Sequence, residues 1–246
     1  MITDPLFYLA AVPAILLMGI SKGGFASGVG ILVTPLVALT VPTAQAAAIL
    51  LPILCVMDLV GLAAYRGVFS RENMRLILLG GVAGVGLGAL TFSFFDDKML
   101  RVGLGVMALA FVAQRVLGGN AAPAPRSTVK GLFWSTVSGL TSTIAHAGGP
   151  PLSVYLLPQK LDKAVLVGTT VIFFTVINYV KLVPYFFLGL FDGRNLMTSL
   201  ALTPLAPMGI LAGVWLMRRV SQELFYRIAY SLLVIVGLKL LHDGLR

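Results

Sequence analysis

Long apolar runs separated by short polar loops dominate the chain. Six of them, each roughly 20 residues, read as ordinary membrane-spanning helices. They are Thr43–Tyr65, Leu76–Phe95, Leu100–Leu117, Ala164–Phe187, Leu196–Met217 and Phe225–Leu241. Two longer apolar stretches, Leu6–Val41 and Lys130–Leu157, do not fit that length. Each carries a break near its middle, rich in glycine and hydroxyl residues. The first is Gly19-Ile20-Ser21-Lys22-Gly23-Gly24-Phe25-Ala26-Ser27-Gly28, and the second runs from Gly139 to Pro151 and contains Thr141-Ser142-Thr143-Ile144-Ala145-His146-Ala147-Gly148-Gly149-Pro150-Pro151. An unbroken helix over the first stretch would be about 54 Å long, against a hydrocarbon core of about 30 Å. Backbone freed from a helix at membrane depth is tolerated only where protein or a water-filled cavity satisfies it. The pattern predicts a re-entrant hairpin in each stretch, built of two half-helices that are each too short to span alone. Paired breaks of this kind point to a transporter's binding site.

The two halves repeat. Gly19 matches Gly139, Thr43 matches Lys163, Asp58 matches Asn178 and Tyr65 matches Tyr185, all at a spacing of 120. Gly67-Val68-Phe69-Ser70-Arg71-Glu72-Asn73 then matches Gly189-Leu190-Phe191-Asp192-Gly193-Arg194-Asn195, with two residues inserted. The stretch Leu117–Thr128 has linker composition. The expected organisation is a first repeat over 1–122 and a second over 123–246, each a broken-helix hairpin plus three transmembrane helices. An odd number of crossings per half inverts the second repeat. The expected fold is therefore an all-α polytopic membrane protein of two homologous inverted halves.

Composition agrees. The chain is 58% hydrophobic and 11% charged, whereas soluble domains carry about 25% charged residues. Its net charge of +9 does not indicate nucleic acid, because the basic residues are scattered singly among short loops. With both long stretches as hairpins, Arg66, Arg71, Arg75, Arg115, Arg126, Lys130, Lys160, Lys163, Arg218, Arg219 and Arg227 share one side. Lys98, Arg101, Arg194, Lys239 and Arg246 share the other, with Lys22 and Lys181 left inside. That division is eleven to five, against nine to seven if both stretches cross, and the positive-inside rule favours hairpins with both termini outside. The N-terminus lacks the basic region of a cleavable signal peptide. Cys55, alone in an apolar run, reads as a small buried hydrophobe.

Two four-segment halves that each open with such a break resemble the TauE/SafE family of sulfite and organosulfonate exporters. The resemblance covers nearly the whole chain. It is carried by Gly19-Ile20-Ser21-Lys22-Gly23-Gly24, by Gly148-Gly149-Pro150-Pro151 and by the Gly-x-Phe run of each half. It implies a small transporter of the bacterial inner membrane that moves small, often sulfur-containing, anions. Composition and periodicity do not themselves name a sulfur substrate.

Lys22 is the sharpest single residue, since an ammonium at the bilayer centre costs a few kcal/mol on insertion scales. It reads as a charge offered to an anion, as the partner of a carboxylate such as Asp58, or as both. Ser21, Gly23, Gly24 and Ser27 would add hydroxyl and backbone donors at the start of a half-helix, where the dipole suits an anion. Thr141, Ser142, His146, Gly148 and Gly149 would do the same in the second half, with Pro150-Pro151 restarting the helix. His146 reads equally as a substrate or proton group and as a residue that holds the hairpin together. Asp58 and Asn178 are candidate coupling residues: Asp58 could carry a proton or neutralise Lys22. Lys181, about two turns from the outer end of its helix, reads as snorkelling outward or as lining the exit path, and snorkelling is the favoured expectation. The glycine stripes (Gly81, Gly84, Gly86 and Gly88; Pro204, Pro207, Gly209 and Gly213) read as packing and kink positions.

The chain lacks the residues for a catalytic triad, a metal cluster or paired acids. No catalytic residue, metal site or cofactor is expected, and the chain is not read as an enzyme. The expected partners are a small anion and the lipid bilayer. Nucleic acid is excluded, and a homo-oligomer is compatible with the pattern. The expected function is a secondary anion transporter, working by alternating access around the two tips. The alternative is a structural or assembly subunit of a larger membrane complex, which leaves the buried lysine and the duplicated breaks without a role.

Overall fold

The apolar runs fold as helices, and every regular element among the described residues is helical. The computed structural model describes residues 1–24, 29–65, 67–92, 94–117, 123–217, 219 and 221–246. Helix α1 spans Pro5–Gly24, and a 3-10 turn at Val29–Leu32 leads into the short α2, Val33–Val37. Three long helices follow: α3 (Thr43–Ala64), α4 (Arg71–Phe92) and α5 (Asp97–Leu117). The second half opens with α6 (Thr128–Ala145) and the short α7 (Gly149–Leu156), then α8 (Lys163–Phe187). It closes with α9 (Gly193–Leu202), α10 (Leu205–Met217) and α11 (Gln222–Leu245). The expected boundary near residue 122 lies outside the described residues.

Among the described residues, six segments are long and apolar enough to cross a membrane: α1, α3, α4, α8, the α9–α10 stretch and α11. Three of the sequence expectations shift here. Helix α1 keeps 20 residues, about 30 Å at 1.5 Å per residue, so the segment before the first break is long enough to cross a membrane and not, as expected, too short to span alone. The α-helices on either side of the first break are unequal, 20 residues in α1 and 5 in α2. The second stretch repeats this with an 18-residue α6 and an 8-residue α7. Helix α5, expected as a span, is 21 residues long but stands outside the six; its first turns carry Asp97, Lys98 and Arg101. The expected single span Leu196–Met217 is interrupted by a turn at Thr203-Pro204, where proline cannot supply a backbone donor.

Matched residues of the repeat adopt matched conformations. Gly67 and Gly189 both have positive φ, at 77° and 68°, a region that costs glycine no Cβ clash. Ser70 and Asp192, aligned in sequence, both accept from the backbone N–H three residues on, at Asn73 (3.3 Å) and Asn195 (2.6 Å). They are side-chain N-caps of α4 and α9.

Packing exchanges elements between the halves. Helix α1 lies on α10, α4 on α6, α3 on α8 and α5 on α11. Glycine makes the first two contacts possible. A Cβ on Gly209 would meet Gly19 Cα at 3.0 Å, and one on Gly213 would meet Ile20 O at 2.6 Å. A Cβ on Gly84 would meet Thr136 O at 2.1 Å, and one on Gly88 would meet Thr143 Cβ at 2.9 Å. Gly86 faces open space and is not part of either seam. Close backbone approach of this kind is how membrane helices gain packing energy where lipid offers no hydrophobic driving force.

Candidate functional site

The first break ends α1 at Gly24 with Lys22 in its last turn. Gly23 and Gly24 therefore stand at the carbonyl end of α1 and not, as expected, at an amide end. That end carries partial negative charge and favours a cation. The Lys22 ammonium donates to Asp58 Oδ1 on α3. Asn178 Nδ2 on α8 donates to the other carboxylate oxygen, Asp58 Oδ2, at 2.6 Å. The Asp58 side chain is 2% exposed and that of Lys22 30%, so one member of the ion pair is sealed in and the other keeps an open side. Ser21 is buried beside them. Ser27, expected in this cluster, lies outside the described residues.

The second break ends α6 at His146, whose backbone is left-handed with φ 53° and ψ 26°. That region is uncommon for a residue with a Cβ and is stored strain. Hydrogen bonds hold it: His146 N–H and Ala147 N–H reach back to Ser142 O and Thr141 O. The Thr141 hydroxyl is spent inside the hairpin, on Val137 O at 2.8 Å and Ala147 O at 3.2 Å. Ser138 Oγ donates to Gly148 O at 2.7 Å. A Cβ on Gly148 would meet Ser138 O at 2.6 Å, whereas Gly149 faces open space. Of the two glycines, only Gly148 is demanded by close approach.

Lys181 does not snorkel. Its side chain is fully buried and turns from α8 into the second tip. Its Nζ donates to Ser142 O and Ser142 Oγ, both at 3.0 Å, and lies 2.8 Å from His146 Nδ1. His146 Nε2 lies 2.9 Å from Ala47 O on α3. Tyr185, one turn on, donates to Thr143 O at 2.5 Å.

The structure thus gathers the candidates into two clusters bridged by α3 and α8. Lys22, Asp58 and Asn178 form one; Ser142, His146 and Lys181 form the other. Asn178 and Lys181 are three residues apart, on one face of α8. In repeat register Ser142 stands at the position of Lys22. The first repeat's ammonium comes from its own tip, and the second repeat's is supplied to the tip by α8. Lys181 is the residue that sequence reasoning left out of the site. Its signal was present, a charge sharing a face with Asn178, but a nearby helix end offered an easier reading.

The family model "Sulfite exporter TauE/SafE" matches residues 11–240. The chain belongs to this family. The match spans both clusters and every helix but the outermost turns of α1 and α11. No curated protein and no solved structure matches the chain significantly. Membership in the TauE/SafE family, with six apolar helices, makes this a multi-pass membrane protein of a transporter family.

Proposed function

We propose that this TauE/SafE protein is a secondary exporter of a small sulfur oxyanion, sulfite or an organosulfonate, in a bacterial inner membrane. The observation that carries the reading is the half-open Lys22–Asp58 pair at the first tip. A carboxylate sealed in by Asn178 and Lys22 stays in place, while the ammonium keeps a side from which an anion can approach. In this reading Ser21, Lys22, Gly23 and Gly24 line the anion from one tip. Ser142, His146, Gly148 and Gly149 line it from the other, with Thr141 shaping the turn. Asp58 and Asn178 couple occupancy to movement: an anion on Lys22 weakens the hold of Asp58 and frees α1 from α3 and α8.

The exchanged packing of the halves supports an inverted repeat, with α1–α2 and α6–α7 as the two broken-helix tips. Alternating access is then a swing of one half against the other around the tips. The loops beside Arg71, Lys130 and Lys160 face the cytoplasm in this arrangement, as the positive-inside rule asks. The test is flux of sulfite and methanesulfonate in proteoliposomes. Saturable transport that Lys22→Ala abolishes is the expected result; no transport of either anion overturns the reading.

A further inference from the structure

Lys181 is a buried cation with no ion-pair partner among the described residues. Its acceptors are Ser142 O, Ser142 Oγ and His146 Nδ1. The geometry fixes the tautomer of the histidine. Ala47 O, 2.9 Å from Nε2, can only accept, so Nε2 keeps its hydrogen. Nδ1 is then the ring nitrogen whose proton can change. In a neutral His146 it offers its lone pair to Lys181. If both groups were protonated, two donors and two like charges would meet at 2.8 Å in a site shielded from water, which strongly disfavours that state. The pair therefore holds one positive charge or none. A neutral amine keeps two N–H groups for these three acceptors, so it can still donate to His146 and to one Ser142 oxygen.

Other charges near the pair are few. Asp58 and Cys55 of α3 and Lys22 of α1 are within electrostatic reach of Lys181. Tyr185, on α8 itself, has its hydroxyl committed to Thr143 O. Helix α4 also packs on α8, but its Arg71, Glu72 and Arg75 lie at its start. That end is bonded to Thr169, about three turns along α8 from Lys181. Lys22 and Asp58 cancel each other. The centre is then neutral when the Lys181–His146 pair is neutral and empty of substrate. It is neutral again when the pair is charged and one monovalent anion is bound. Any other combination leaves an uncompensated charge in the membrane interior, which is costly.

We propose that the Lys181–His146 pair is the proton-binding element of the transport cycle, taking up one proton with each anion. The proton comes from water and binds the free lone pair of Nζ or Nδ1; it returns to water when the anion leaves. This rests on the anion-transport reading above and moves the proton from Asp58, where the sequence suggested it, to Lys181 and His146.

The experiment uses the full chain in proteoliposomes, with the voltage clamped and an internal pH dye. The probe is methanesulfonate, which stays ionised across the working range, so pH acts on the protein alone. In the unmodified protein we expect about one proton per anion and a flux that falls as pH rises. Lys181→Arg, which stays charged at all working pH, should lose both proton movement and pH dependence in whatever anion exchange it retains. A Lys181→Arg protein that still carries a proton with each anion overturns the proposal. So does unmodified protein whose flux is insensitive to pH and moves no proton, which decides the matter even if the variant fails to fold. If unmodified protein carries neither methanesulfonate nor sulfite at any pH, the transport reading itself has failed.

Discussion

At the scale of single residues, the two clusters respond differently to substitution. Lys22→Ala leaves Asp58 sealed in with only the Asn178 amide against it. Removing one partner of a fully buried pair costs about 3–5 kcal/mol. The open side of Lys22 and the remaining amide reduce that to roughly 1–3 kcal/mol here. The expected outcome is lower thermal stability in detergent and a transport loss of at least about tenfold. The double change Lys22→Met with Asp58→Asn removes both charges; it should recover folding without recovering transport. An equally unstable double variant would mean that the pair is not what holds the tip. His146→Asn probes the strained corner of the second tip. Asparagine tolerates the left-handed region, so the fold should melt within about 1 kcal/mol of the parent. Transport should fall sharply, because the contacts to Lys181 and Ala47 O are lost. Most of this site was legible from residue types alone. Lys22, Asp58, Asn178, Ser142 and His146 stand out because a polar group inside an apolar run must find a partner. The direction of Lys181 was not legible, since one helical pattern serves a lysine reaching outward and one turned inward. The Thr141 hydroxyl looked free in the sequence, yet a broken helix needs its own acceptors satisfied first.

At the scale of elements, glycine position separates packing from mere permissiveness. Gly84→Ala drives a methyl into Thr136 O on α6 and should destabilise by about 1–3 kcal/mol. Gly86→Ala, two residues away in open space, should be neutral or stabilising by up to about 1 kcal/mol. Thermal unfolding of the two variants side by side measures the seam directly. Asp97 joins two elements in another way. It accepts from Thr43 N–H at the start of α3 (2.7 Å) and from Arg101 one turn along α5 (2.6 Å). Partial burial alone would raise its pKa, but the Arg101 and Thr43 hydrogen bonds and the Arg101 charge outweigh burial and hold the carboxyl below its usual range. A folded pKa below the unfolded one contributes stability above the unfolded value, and this is lost as pH falls through the folded pKa. Acid should therefore loosen the α3–α5 junction below about pH 4, and Asp97→Asn should flatten that part of a stability–pH curve. Helix existence was read well from hydrophobic runs. Helix ends were read less well, because α1 starts early enough to keep a full 20 residues before the first break, and Pro204 interrupts a run whose hydrophobicity continues.

At the scale of the whole molecule, topology is the open measurement. Reporter fusions should find both termini outside and the loops around Arg71, Lys130 and Lys160 in the cytoplasm; a cytoplasmic C-terminus would contradict the inverted arrangement. The repeat itself was visible in the sequence as a spacing of 120, but a spacing says nothing about which elements exchange. That exchange has a consequence for how the protein is made. The face of α1 that carries Gly19 is covered by α10, which the ribosome completes nearly two hundred residues later. At roughly 5–20 residues per second, α1 waits about ten to forty seconds in the membrane for its partner. Throughout that interval its small-residue groove is open to lipid or to any other newly inserted helix. Neither half can mature alone, so a chain stalled after the first repeat is an orphan for quality control, not half a transporter.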